Sequence, residues 1–212
     1  MCPAAALEQV EARILQVEDQ RGDAMSHSRS DAWSLVCEYT SQENLRRHML
    51  AVEAVMRAYA RRFGEDEEEW GTVGLLHDFD YERFPDEHPV RGVAILEELG
   101  WPESMRRAIL SHADRTGVPR ESRMEKVLYA SDDVTGLIVA VALVRPDRDL
   151  RNVKIRSVRK KWKSRAFAAG VDRDEVQAAA DDLGMPLDEH LTVVLEAMQS
   201  IAPDLGLAGE ES

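Results

Sequence analysis

Cysteine is nearly absent from this chain. Cys2 and Cys37 are the whole complement, too few and too far apart for a disulfide framework or a cysteine metal site, and both read as reduced thiols. No apolar run approaches the roughly 18 residues that cross a bilayer, and the N-terminus lacks the basic segment, apolar segment and cleavage site of an export signal. A cytoplasmic protein without membrane contact is the expectation. Positive charge is scarce too: 27 Lys and Arg stand against 40 Asp and Glu, a net charge of −13. Without a basic footprint, sequence-independent attachment to extended nucleic acid or an anionic membrane is disfavoured, so any anionic ligand must be gripped locally. Alternating strand patterns and internal repeats are also missing, which leaves helix as the regular structure.

What the chain does have is helical periodicity almost throughout, in 212 residues with 44% hydrophobic content, enough for one well-buried domain. The fold class predicted is all-α. Leu7, Val10, Ile14 and Val17 mark a first helix, and the polar residues 21–30 read as a linker, so residues 1–40 form an N-terminal helical appendage and linker. Residues 41–202 form the helical domain with its C-terminal helices, and residues 203–212 a frayed tail. Within the domain, Ser41 is the expected cap of a helix with the stripe Leu45, Met49, Val52, Met56 and Tyr59, ending at Gly64. Asp66 caps the next, which carries Trp70, Val73 and His77 on one side; its Gly71 and Gly74 point to close backbone packing, because glycine weakens a helix by about 0.8–1 kcal/mol. His88 stands at the mouth of a helix opened by Pro89, and Gly100-Trp101-Pro102 stops it. Met105, Ile109 and His112 share a stripe. Ser122 and Glu125 form a capping box for a long helix that is apolar nearly all round over residues 134–144, as a central helix reads. Two more helices follow at residues 172–183 and 186–200.

Four of the six histidines, His48, His77, His88 and His112, join Asp78 and Asp132 as candidate metal ligands in these patterns. A polar ring or carboxylate buried without a partner costs roughly 2–7 kcal/mol, and one cation would satisfy several of them together. Adjacent helical residues point about 100° apart, so His77 and Asp78 can share an ion only at a helix end, and the two oxygens of Asp78 could bridge two ions. Imidazole with carboxylate suits Mn, Fe, Co, Ni or Zn better than Mg. Taken alone, His112 also reads as a core histidine, Asp132-Asp133 as the start of a solvated turn, and His48 as a surface residue beside Arg46 and Arg47. His27 in the linker and His190 beside Asp188 and Glu189 lack buried context and read as structural.

The order His48, then His77-Asp78, then Asp132 resembles the HD superfamily of metal-dependent phosphohydrolases. The surroundings agree: His48-Met49-Leu50-Ala51-Val52 in a helix, Leu75-Leu76-His77-Asp78, and Tyr129-Ala130-Ser131-Asp132 in a late helix, so the resemblance covers residues 41–144. It implies an HD-type helical domain binding one or two divalent ions, the first by His48, His77, Asp78 and Asp132 and the second by Asp78, His88 and His112. The chain lacks the paired histidines and Gly-Tyr-Pro stretch of the cyclic-di-GMP-cleaving branch. It is most similar to small bacterial HD proteins of unassigned substrate, including their Thr135-Gly136-Leu137-Ile138 and Lys161-Trp162-Lys163 neighbourhoods.

A divalent ion lowers the pKa of its water from about 16 toward about 7 and offsets charge on a phosphoryl oxygen, both of which suit phosphate ester hydrolysis by metal-bound hydroxide. The expected enzyme is a phosphomonoesterase or phosphodiesterase for a small phosphorylated metabolite, a nucleotide above all. Asp78 and Asp80 are the catalytic candidates, with Glu82 near enough to orient water. Residues 145–165 hold ten Lys or Arg against only Asp147 and Asp149, either a solvated face or a phosphate grip through Lys154, Lys161 and Lys163. Phe79, Tyr81 and Phe84 are candidates to flank a nucleobase. Two other readings stand beside hydrolysis: a di-iron oxygenase of the same superfamily, and a metal-stapled regulatory or scaffold module that homodimerises through its N-terminal helix.

Overall fold

The computed structural model describes residues 27–209, and within them the regular structure is helical, with one isolated antiparallel bridge between Asp149 and Ala208. The expected all-α fold is what forms. In chain order the helices are α1 (Arg29–Tyr39), α2 (Glu43–Phe63), α3 (Glu67–Leu76), α4 (Val90–Glu98), α5 (Glu103–Ser111), α6 (Arg123–Leu143), α7 (Ile155–Trp162), α8 (Arg173–Asp182) and α9 (Leu187–Ser200). Short 3-10 turns at Asp114–Thr116 and Leu150–Asn152 interrupt the connections. The helix expected from Leu7, Val10, Ile14 and Val17 lies outside the described residues.

Helix α2 packs along α3 after a turn in which Gly64 takes the left-handed conformation (φ 72°) that favours glycine. Their closeness depends on Gly74: a Cβ there would fall 2.9 Å from the Val52 carbonyl oxygen and 3.0 Å from the Glu53 Cα. At Gly71 a Cβ would meet only the flexible Arg57 side chain. Helix α6 opens on the reciprocal Ser122–Glu125 capping box, buries most of its length, and touches α2, α5, α7, α8 and α9. It is the central helix that its apolar run announces.

Four expectations need correction. Residues 29–40 are no linker: Ser28 and Asp31 form a capping box, and α1 buries Ala32, Leu35, Val36 and Tyr39 against α3. Ser41 does not cap α2. Its amide and hydroxyl, with the Gln42 amide, instead donate to the Glu82 carboxylate, which therefore serves the start of α2 rather than a water in the site. The tail is not frayed through residue 209, because Ala202, Leu205 and Leu207 are buried, the Leu150 amide donates to the Leu207 carbonyl at 2.8 Å, and Arg151 bonds the Ala208 carbonyl. Finally, His190 is fully buried. Its Nε2–H donates to the Ala130 carbonyl at 2.8 Å, leaving Nδ1 to accept from the Tyr59 hydroxyl at 2.6 Å, so α9, α6 and α2 are tied at one point. Burial drives the His190 pKa down and the Tyr59 pKa up. His27 is held by the Leu99 carbonyl and the Trp101 ring, far in role from any site.

Candidate metal centre

Five segments converge where α3 ends. His48 comes from α2, His77 is the C-cap of α3, Asp78 begins the turn that follows, His88 precedes α4, His112 is the C-cap of α5, and Asp132 lies in α6. Because His77 and Asp78 sit at a helix end, both can face one point. The Asp78 carboxylate divides its oxygens: Oδ2 lies 3.5 Å from His77 Nε2 and 3.7 Å from His48 Nε2, while Oδ1 lies 3.1 Å from His88 Nε2 and 3.5 Å from His112 Nε2. Asp132 Oδ1 joins the first pair, at 2.9 Å from His48 Nε2 and 3.5 Å from His77 Nε2. The paired nitrogens are themselves close, 3.2 Å between His48 and His77 and 3.3 Å between His88 and His112.

The outer nitrogens explain that orientation. A carbonyl oxygen can only accept, so Nδ1–H donates from His77 to Gly74 at 2.8 Å and from His112 to Ile109 at 2.5 Å. The Thr135 hydroxyl donates to the Asp132 carbonyl at 2.7 Å and so accepts from His48 Nδ1 at 3.2 Å. In their neutral forms these three rings then present the Nε2 lone pair inward, and when protonated they donate from the same atom to the carboxylates. Charge follows geometry. Burial opposes the protonated form of His77, yet Asp78 and Asp132 pull its pKa up to about 9. Burial likewise penalises the Asp78 and Asp132 carboxylates, but His77, with hydrogen bonds from the other histidines, holds both well below the usual range.

Residues 45–142 match the HD domain family, a span that contains all six of these side chains. Those residues are an HD domain, the unit of the HD superfamily. No curated protein and no solved structure matches the chain. The superfamily comprises metal-dependent phosphohydrolases, and the donors of this HD domain fit a divalent cation on their own geometry. His48, His77 and Asp78 offer atoms all within 4.8 Å of one another, as do Asp78, His88 and His112. Four inward lone pairs and two carboxylates make a mixed nitrogen and oxygen set suited to a first-row metal. Among the described residues no helix is long and apolar enough to cross a membrane.

The remaining sequence candidates fare differently in the HD domain. Asp80 is 1% exposed, and both its oxygens are engaged, Oδ1 with His88 Nδ1 at 2.7 Å and Oδ2 with the Gly92 amide at 2.7 Å. A carboxylate so occupied is not a free general acid. Phe79 is buried edge-on against Tyr39, and Phe84 is half-buried near the same ring, so neither is open to a nucleobase. Tyr81 differs: it is 47% exposed and meets the His88 ring edge to face at 5.3 Å. None of the three lysines lines the cleft beside His112 and Asp132. Lys154 precedes α7, Lys161 lies over the Phe167 ring at 4.4 Å, and Lys163 ends the helix, while Arg145, Arg151, Arg159 and Arg165 of the same segment pair with Asp147, Asp149, Asp188 and Asp174. That cleft, of about 210 Å³, is walled by Asp114, Tyr129, Asp133 and Glu175. Sequence reasoning passed over Asp133 as turn surface. Its place one residue beyond a ligand in a central helix was the available signal. Burial and the Asp132 charge raise its pKa.

Proposed function

We propose that this HD domain hydrolyses a phosphate ester of a small metabolite, a nucleotide in particular, at a centre of two divalent ions: one held by His48, His77, Asp78 and Asp132, the other by Asp78, His88 and His112. The observation that carries the reading is the divided Asp78 carboxylate, one oxygen toward each histidine pair. When bound, such ions offset charge developing on a phosphoryl oxygen and make water more acidic. The protein's own contribution is orientation. The anchored Nδ1–H groups fix the imidazoles, and Asp78 couples the two halves. We assign Asp133, in the cleft wall beside Asp132, as the donor of a proton to the leaving oxygen. The exposed ring of Tyr81 against His88 suits an aromatic base. The lysine grip of the sequence reading is not retained, since the cleft wall is acidic and none of those lysines lines it.

The test is elemental analysis of purified protein joined to turnover on a panel of nucleotides and other phosphate esters after loading with Mn, Co, Ni or Zn. Phosphate release that requires the metal and falls at least tenfold in Asp133→Asn, with metal content unchanged, supports the reading. A loaded protein that cleaves none of the panel overturns it. Oxygen consumption by the iron-loaded form would then establish the oxygenase, and tight metal binding without any turnover the scaffold.

A further inference from the structure

We propose that Asp80, clamped by the backbone of Gly92, is the positioning residue that creates the second metal site at His88 and His112; this rests on the reading of the centre given above. Asp80 is buried, and its Oδ1 accepts from His88 Nδ1 at 2.7 Å. That hydrogen bond places the His88 proton on Nδ1 and turns the Nε2 lone pair toward Asp78 Oδ1 and His112 Nε2. Of the four imidazoles, His88 alone is anchored by a carboxylate, the others meeting the Gly74 carbonyl, the Ile109 carbonyl and the Thr135 hydroxyl. A carboxylate on the far nitrogen makes a histidine both better aligned and more basic as a ligand.

The asymmetry has an electrostatic reason. The His48 and His77 end of the centre has Asp132 as well as a share of Asp78. The His88 and His112 end has only the other oxygen of Asp78. Asp80 restores negative charge to that poorer end from one imidazole away. The fold is shaped to hold it there. Gly92 lies in the first turn of α4, where amides have no helical partner, and its N–H closes on Asp80 Oδ2 at 2.7 Å. Any other residue would put a Cβ 2.6 Å from the Asp80 Cγ and 2.8 Å from each oxygen. The carboxylate is pinned on both sides, and glycine is the condition for the pinning.

The experiment uses the full chain with cobalt as the probe. Asp80→Asn keeps the shape and removes the charge; Gly92→Ala keeps the charge and displaces it. Ions per chain, competition against a chromophoric chelator and the visible spectrum of the cobalt form are measured, with thermal unfolding to follow the fold. Two ions in the unaltered protein, and in both variants one retained while the second binds 10–100-fold more weakly, support the proposal. His48→Ala should weaken the other ion instead, which separates a local effect from general loosening. Two ions at unchanged affinity in Asp80→Asn, or equal loss of both, overturn the positioning role alone. An unaltered protein that takes up no cobalt overturns the metal centre itself.

Discussion

Asp78 is the residue on which both halves of the centre depend, because each of its oxygens faces a different histidine pair. Replacing it by Ala should remove both ions and lower turnover at least a hundredfold, read from metal content and phosphate release. Asn at the same position should be less damaging to metal content, since an amide oxygen still ligates. The titrating groups predict a second behaviour. In the metal-free protein the His77 pKa is raised from 6.5 to about 9, so its charged form contributes stability that is full below pH 6.5 and is lost as pH rises through about 9. Asp78 and Asp132 are shifted the other way. Their contribution is present above pH 3.8 and fades only as acid reaches their depressed values. His190, also shifted down, favours the fold above pH 6.5 and loses that as pH falls. The thermal midpoint in chelator should therefore fall between pH 6.5 and 9. With metal present the fall should vanish, because binding displaces the same protons. Scanning calorimetry at four pH values, with and without chelator, measures both.

Among elements, the contact of α2 with α3 sets the distance between His48 and His77. Gly74→Ala would drive a methyl into the α2 backbone, so a loss of about 1–3 kcal/mol in urea denaturation is expected, together with weaker binding of the ion shared by those histidines. This contact was legible, since two glycines inside a helix pattern ask for a reason, although only Gly74 meets backbone. The capping box of α6, the turn at Gly64 and the cap at Asp66 were legible on the same footing, each being local chemistry. Helices α1 and α7 were not. Their apolar positions, Ala32, Leu35, Val36 and Tyr39 in one and Ile155, Val158 and Trp162 in the other, have helical spacing, but polar and basic neighbours drew the reading to linker and charge patch. The six metal candidates stood out by residue type and spacing. The engagement of Asp80 could not, because its second partner is a backbone amide twelve residues away that only tertiary packing delivers.

For the whole molecule, the C-terminal return matters more than its sequence suggests. Leu205 and Leu207 are buried and the Gln199 amide bonds the Leu150 and Val153 carbonyls, so residues 199–209 close the end of the bundle over the turn at Leu150–Asn152. Deleting residues 202–212 should cost about 3–6 kcal/mol, from about 1.5–3 kcal/mol for each leucine, as measured by chemical denaturation, with metal binding in the surviving folded fraction retained. The ligands themselves are strung along most of the HD domain, from His48 in α2 to Asp132 in α6. As the chain leaves the ribosome, each donor appears before the next has been made, and the Asp132 carboxylate is the last to arrive. A nascent chain can therefore offer a cation scattered imidazoles but no finished cage until α6 has taken its place in the middle of the bundle.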